Sequence, residues 1–267
     1  QFQTPKVTAA AGIFTRDMMH DDDYSTAFFS ESERFFHNRM NGVLAQYNGK
    51  RNSYVEFVCD WEGMYSTLSR EKFRILLAGR HYLDTFYYGF NYSMFHYAGQ
   101  QGAPIENVVD LQLLTPCVGV RFNAFFDFDI KLGALLTAQR DRSFGHSWEK
   151  PCMGEFAFRI SRWGLSLDER LYVGDNIHPF FYGHELEDGT PLPYGRELYP
   201  AESFFRTDQK VYSRTALSYR RSFFDDTVSV RAEFAAHHDG TALGTQQMLV
   251  VGVKLLKTVY NSKNHKK

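Results

Sequence analysis

The feature that most constrains the fold is a two-residue alternation of apolar and polar side chains, clearest in residues 126–138. One parity holds Phe126, Phe128, Ile130, Leu132, Ala134 and Leu136, and the other holds Asp127, Asp129, Lys131 and Thr137. Successive side chains of a β-strand point to opposite faces, whereas a helix would mix these two sets. The segment therefore predicts a strand with one apolar and one polar face.

The same pattern predicts about twelve strands along the chain. Four more segments show it clearly and seven show it less strongly. They lie at 55–62, 73–80, 154–161 and 227–237, and at 7–16, 39–48, 89–98, 108–122, 165–174, 210–221 and 245–260. Most are close to the roughly nine to eleven residues that a tilted strand needs to cross a bilayer. We expect a single domain over residues 1–267.

The connections between these strands alternate between long and short. The longest span about 17–38 and 175–209, and the short ones include Asn48–Asn52 and Arg162–Gly164. Bacterial outer-membrane barrels have short periplasmic turns and long extracellular loops. An even number of strands that starts with a long loop places both termini in the periplasm. The sequence thus predicts a transmembrane antiparallel up-and-down β-barrel in the bacterial outer membrane.

Composition excludes two other classes of protein. No apolar run approaches the length of a membrane-spanning helix, and a net charge of −1 gives no basic face for nucleic acid. Aromatic residues make up 16% of the chain, as expected where aromatic girdles meet a membrane interface. No helix is predicted that would cover a sheet face. Because alternation alone does not fix which face meets water, a soluble all-β fold remains an alternative.

Two stretches give the chain a family resemblance. They run from Tyr212 to Leu255 (YSRTALSYRRSFFDDTVSVRAEFAAHHDGTALGTQQMLVVGVKL) and from Gly119 to Arg142 (GVRFNAFFDFDIKLGALLTAQRDR). Their strand–turn–strand style resembles that of porin-like outer-membrane proteins of the Bacteroidota, over much of the chain and without a catalytic or binding motif. The resemblance implies a barrel of undefined cargo, with outer-membrane lipid and lipopolysaccharide as its surroundings.

The candidate functional residues are the charged side chains of the polar parity. They are Arg74, Arg80, Arg121, Asp127, Asp129, Lys131, Glu155, Arg159, Arg214, Arg220, Arg231 and Glu233. Opposed charges lining a water-filled lumen would tune ion selectivity. Small barrels are filled by side chains and large ones hold channels, and twelve strands lie between these sizes.

Two interpretations of the interior follow from this intermediate size. One is a porin-like channel for small polar solutes. The other is a plugged accessory or structural barrel that binds a partner protein or surface glycan through its long loops, with Tyr182, Tyr194 and Tyr199 as stacking faces.

A barrel hydrolase is a third hypothesis. Ser93, His96 and His237 are the residue types of a nucleophile and its base, but Ser93 and His96 would face opposite sides of a strand. The run Asp21–Asp23 beside His20 has oxygen ligands without the alternate spacing of a calcium loop, so we interpret it as a solvated acidic loop. We predict no enzyme activity, no cofactor and no metal site.

Overall fold

The computed structural model describes residues 1–103, 107–145, 147–185, 187–192, 194–206 and 209–253. The chain is 60% strand and 9% helix, which confirms the predicted all-β class. The strands are β1 (Phe2–Gln3), β2 (Val7–Thr15), β3 (Arg39–Asn48), β4 (Tyr54–Gly63), β5 (Lys72–Leu83), β6 (Phe86–Tyr97), β7 (Val109–Asn123), β8 (Asp127–Asp141), β9 (Cys152–Arg162), β10 (Leu165–Gly174), β11 (His184–Glu185), β12 (Pro191–Leu192), β13 (Val211–Phe223), β14 (Val228–His238) and β15 (Leu243–Val253). The helices are α1 (Glu31–Phe36) and α2 (Gly195–Leu198), with 3-10 turns at Arg16–Met18, Asp21–Asp23, Lys50–Asn52 and Ser203–Arg206.

One antiparallel sheet of thirteen strands contains every strand except β11 and β12, which pair with each other. Each strand of the large sheet lies beside its neighbour in the chain, and β13 follows β10 across the longest connection. The predicted up-and-down order is therefore confirmed. Within the described residues the edge strands β1 and β15 are not paired with each other, so closure into a barrel stays a prediction.

All twelve predicted strands are present, each within a few residues of its predicted bounds. The last one is described as far as Val253, and the predicted residues 254–260 lie outside the described part of the chain. Strands β1, β11 and β12 were not predicted, because two residues are too few to display an alternation.

Helix α1 lies inside the predicted first loop, where no helix was expected. The Ser30 hydroxyl caps it by accepting a hydrogen bond from the Glu33 backbone N–H at 3.0 Å. A Ser followed three residues later by Glu is the signature of a capping box, so the sequence carried this signal. The helix was missed because its six residues show no clear apolar period.

Burial along the strands is the inverse of that in a soluble sheet protein. Leu132 of β8 is 57% exposed and Leu249 of β15 is 72% exposed, whereas Arg74 and Arg214 are each only 4% exposed. In soluble antiparallel sheets the apolar side packs on the core and the polar side meets water. We call the side of the sheet that carries Arg74 and Arg214 the polar face, and the other side the apolar face.

The hydrophobic core lies between the polar face and the two longest connections. Tyr24, Phe28 and Phe29 of the first connection pack in one cluster with Phe204 and Phe205 of the second. Strand residues complete this cluster, among them Leu44, Leu76 and Tyr172. The side of the sheet that carries the charges is thus covered by the chain itself.

The two longest connections also contact each other and the far end of the sheet. The Ser30 N–H donates to the Pro200 carbonyl at 2.8 Å, and the Glu31 N–H donates to the Glu202 carboxylate at 2.9 Å. Glu31 pairs in addition with Arg231 of β14 at 3.6 Å. The connection that follows β2 therefore contacts β14, the second-to-last strand of the sheet. This contact links the beginning of the sheet to its end.

Replacing Gly42 of β3 with Ala should destabilise the sheet. A Cβ at this position would lie 2.0 Å from the Cys59 carbonyl oxygen on β4, so the two strands would have to move apart. We expect Gly42→Ala to lower the free energy of unfolding by about 1–3 kcal/mol, measured by urea denaturation followed by circular dichroism. Gly154→Ala is the control, since its added Cβ would meet nothing closer than 3.7 Å. Equal midpoints for the two variants would contradict the register of β3 against β4.

Candidate functional site

A ladder of alternating charge crosses four strands of the polar face. Arg121 of β7 lies opposite Asp129 of β8, Asp129 lies opposite Arg159 of β9, and Arg159 lies opposite Asp168 of β10. The Arg121 and Asp129 side chains pair at 2.7 Å, and the Arg159 and Asp168 side chains at 3.5 Å. Opposite charges placed directly across neighbouring strands stabilise their pairing. The strand register therefore places each of these charges beside one of opposite sign.

All twelve residues predicted to line a lumen lie on the polar face. Four of them are buried and the others are partly or largely exposed. The buried ones are Arg74, Arg80, Glu155 and Arg214; the others are Arg121, Asp127, Asp129, Lys131, Arg159, Arg220, Arg231 and Glu233. That these residues line a water-filled lumen stays a prediction.

The buried charges of this face are paired. Glu155 accepts hydrogen bonds from the Lys131 ammonium and the Tyr172 hydroxyl, at 3.1 and 3.2 Å. Arg214 donates to Glu233 at 2.5 Å. Arg74 pairs with Glu62 at 3.1 Å, and its guanidinium carbon lies 4.2 Å from the centre of the Phe95 ring. Such pairing is what allows charged groups to leave water.

Asp23 anchors the first connection to the polar face. Its carboxylate accepts hydrogen bonds from Arg80 at 2.6 Å and from the Tyr54 hydroxyl at 2.8 Å. Asp21 pairs with Arg16 and with Arg34, each at 3.4 Å. The Asp21 and Asp23 side chains are 18% and 23% exposed. The interpretation of this run as a solvated acidic loop is wrong for Asp21 and Asp23, because their carboxylates pair with Arg16, Arg34 and Arg80.

Glu56 is a second anchor, and it is fully buried. Its carboxylate accepts hydrogen bonds from the His20 backbone N–H at 2.9 Å, from the Tyr24 hydroxyl at 3.0 Å and from the Gln46 amide. Burial and the neighbouring Glu56 raise the pKa of Tyr24 well above its ordinary value. The Tyr24 hydroxyl therefore keeps its proton and serves as a donor, which holds residues 20–24 against the sheet.

The longest connection is attached at the other end of the polar face. Gln139 of β8 donates its amide to the Ile177 carbonyl at 2.8 Å, and the Tyr199 hydroxyl donates back to Gln139. The Tyr194 hydroxyl donates to Asp141. Tyr194 and Tyr199 are buried, so the prediction that they offer stacking faces to a glycan is wrong; Tyr182, at 74% exposed, remains available.

A cavity of about 450 Å³ remains on the polar face, at the ends of β9, β10, β13 and β14 that are joined by short turns. Helix α1 contributes Glu31 and Arg34 to its wall. The strands contribute arginines that include Arg159, Arg214 and Arg220. We call this cavity the arginine chamber. No sequence motif predicted it, because its residues come from six elements.

The residues considered for hydrolysis are not brought together. Ser93 is buried on the polar face of β6, whereas His96 lies on the opposite face of that strand. His237 lies on β14, six strands away in the sheet. Neither His96 nor His237 is therefore placed to act as a base for Ser93.

Neither a metal site nor a family emerges from the remaining observations. Over the described ranges, no group of three or more His, Cys, Asp and Glu side chains is arranged to hold a metal ion. None of the helices described has the length and apolar character needed to cross a membrane. Comparison of the chain with protein-family models, curated proteins and solved structures gave no match. Function is therefore inferred from the residues and their geometry.

Removing the Asp23 carboxylate should loosen the first connection. Asp23→Ala leaves Arg80 buried without its anion, and we expect a loss of about 3 kcal/mol in the free energy of unfolding. Limited proteolysis should then cut residues 16–38 faster than in the unaltered protein. Asp188→Ala is the control, since Asp188 is exposed and bonds only to Thr190 among the described residues. Its effect should stay within about 0.5 kcal/mol. Comparable proteolysis of both variants would contradict the anchoring role of Asp23.

Proposed function

We propose that this chain is an outer-membrane β-barrel whose interior is closed by its own connections, and that it acts as an accessory or structural subunit. In this proposal the long loops at the extracellular side bind a partner protein or a surface glycan, and the termini lie in the periplasm. The observation that carries the proposal is the inverted burial of the strands, with apolar side chains outward and charged side chains covered.

The apolar face supports contact with lipid. Exposed apolar side chains recur along its strands, including Val55 of β4, Val118 of β7, Leu132 of β8, Leu217 of β13 and Leu249 of β15. Soluble monomers rarely expose a continuous apolar patch of more than a few hundred Å². In a bilayer the same apolar surface would contact lipid and would not have to be covered by protein. Because lipid offers no partner to backbone N–H and C=O groups, we expect the sheet to be closed there.

Aromatic side chains at the short-turn ends of the strands support the same orientation. Phe86, Phe125, Trp163 and Phe224 are all largely exposed there. Aromatic girdles mark the lipid–water interfaces of outer-membrane barrels. We expect these rings to sit at the periplasmic interface, since short turns face the periplasm.

The covered polar face favours a plugged barrel over an open pore. Residues 20–24 reach Glu56 and Arg80 of the sheet, and Phe28 and Phe29 belong to the hydrophobic core. At the end of the sheet opposite the short turns, the long connections expose apolar side chains, among them Leu68 and Tyr182. Such side chains suit contact with a partner.

A porin-like channel for small polar solutes is the second candidate. The arginine chamber favours it, because charged side chains surround this space of about 450 Å³ instead of apolar packing. Exposed Arg121 and Arg159 extend the charged surface beyond the buried part of the face. In this alternative the first connection moves aside to open a path.

A charge on the apolar face should interfere with membrane insertion. If Leu132 faces lipid, Leu132→Arg should cost about 2–4 kcal/mol when the protein is folded into lipid vesicles from urea. Leu68→Arg is the matched control, since Leu68 is 93% exposed in a long loop and should tolerate the charge. Equal stability of the two variants, together with purification in the absence of detergent, would favour the soluble alternative.

Removal of the first connection should open the interior. In a planar bilayer we expect the unaltered protein to be silent and a variant with residues 17–38 replaced by a Gly–Ser linker to give discrete current steps. Replacing residues 64–69, an exposed loop, with the same linker should leave the protein silent. Circular dichroism and heat-modifiable migration would verify that each variant is folded. Current steps from the unaltered protein would overturn the plugged barrel in favour of the channel.

A further inference from the structure

The lining of the arginine chamber carries an excess of positive charge. Eight arginines and four carboxylates border it, and the six arginines that lie on the polar face or on α1 outnumber the carboxylates by two. The arginines are Arg34, Arg159, Arg162, Arg170, Arg214, Arg220, Arg221 and Arg231, and the carboxylates are those of Glu31, Asp127, Asp168 and Glu233. Within a chain whose net charge is only −1, this concentration of one sign is local.

Three of the four carboxylates of the chamber form ion pairs, and the fourth, Asp127, accepts a hydrogen bond from the Asn123 amide. Glu233 accepts hydrogen bonds from Arg214 at 2.5 Å and from Arg231 at 2.7 Å. Asp168 pairs with Arg159, and Glu31 is shared between Arg34 and Arg231. The chamber therefore holds guanidinium groups that its own acids do not neutralise.

Arg220 is the clearest of these groups. Its side chain has neither a hydrogen bond nor an ion pair within the described part of the chain, and it is exposed to solvent. Arg162 and Arg221 also border the chamber, but the register places them on the apolar face, across from Leu165 and Val230. Arg162 donates to the Phe125 carbonyl, and Arg221 to the Tyr219 hydroxyl at 3.5 Å. An anion that enters the chamber from solvent would therefore meet Arg220.

A buried donor supplies an independent observation. Arg214 is only 4% exposed, and its Nε atom is buried without a hydrogen-bond acceptor among the described residues. A buried donor left without an acceptor is costly, and more so on a charged group. Hydroxyl groups lie in the same wall, where Ser166 and Ser218 are 2.8 Å apart. The chamber thus offers both guanidinium and hydroxyl donors to oxygen atoms.

We propose that the arginine chamber is a binding site for a phosphate group. Guanidinium groups match the geometry of phosphate oxygens and bind them through charge-assisted hydrogen bonds. A phosphate monoester carries close to two negative charges at neutral pH, and these match the excess of two positive groups better than the single charge of a carboxylate does. The site does not depend on the membrane assignment, because described residues form it in either environment.

Calorimetric titration of the folded protein with inorganic pyrophosphate tests this site. We expect saturable binding that weakens with added salt, as charge pairing requires. Arg220→Gln should weaken it about tenfold, the loss of one charge-assisted hydrogen bond. Arg51→Gln removes the same charge at another short turn, outside the chamber, and should leave the affinity unchanged.

Two results would overturn the proposal: an absence of saturable binding, or an equal response to Arg51→Gln and Arg220→Gln. A comparison of glycerol 3-phosphate with short-chain phosphatidic acid then assigns the source of the phosphate. Tighter binding of the lipid identifies a headgroup, and equal binding identifies a soluble phosphate ester. Membrane insertion is measured separately, so that failure of the phosphate-site proposal can be distinguished from failure of the barrel proposal.

Discussion

The structure depends on how the charges of the polar face are paired once they are withdrawn from water. A buried guanidinium or carboxylate is tolerated only when an opposite charge or several hydrogen bonds replace its hydration. Asp23 does this for Arg80, and three donors do it for Glu56. Because three of these partners, His20, Asp23 and Tyr24, come from the first connection, that connection is as much a part of the fold as the strands are.

This constraint divides the polar face into two regions. Towards the long connections, Phe28, Phe29, Phe204 and Phe205 form an apolar core that leaves little space. Towards the short turns of β9, β10, β13 and β14, the face keeps a charged cavity with arginines at its entrance. The polar face is therefore covered by aromatic packing at one end and keeps a charged cavity at the other.

The strands could be predicted because their signal is local. Alternation within a single segment was enough to place β8 and β14, and the alternation of connection lengths was enough to order them. The use of the connections could not be predicted, since Asp23 meets Arg80 across 57 positions and Tyr199 meets Gln139 across 60. Nothing near Asp23 in the sequence distinguishes a buried anchor from a solvated loop.

The candidate site could likewise be predicted from the sequence only in part. Parity alone placed the twelve charged residues on one face, because side-chain direction in a strand follows from position. Which of them are buried depends on what packs above them, and that is decided by contacts distant in sequence. The arginine chamber was therefore visible only once α1 lay beside β13 and β14.

Nitroxide scanning of β8 in lipid vesicles tests the central claim most directly. Single cysteines at positions 130–136, in a background where Cys59, Cys117 and Cys152 are replaced by serine, would each carry one spin label. We predict high accessibility to oxygen at 130, 132, 134 and 136, and low accessibility to both oxygen and a water-soluble nickel complex at 131, 133 and 135. High accessibility of positions 130, 132, 134 and 136 to the nickel complex, or the opposite alternation for oxygen, would contradict a lipid-facing apolar face.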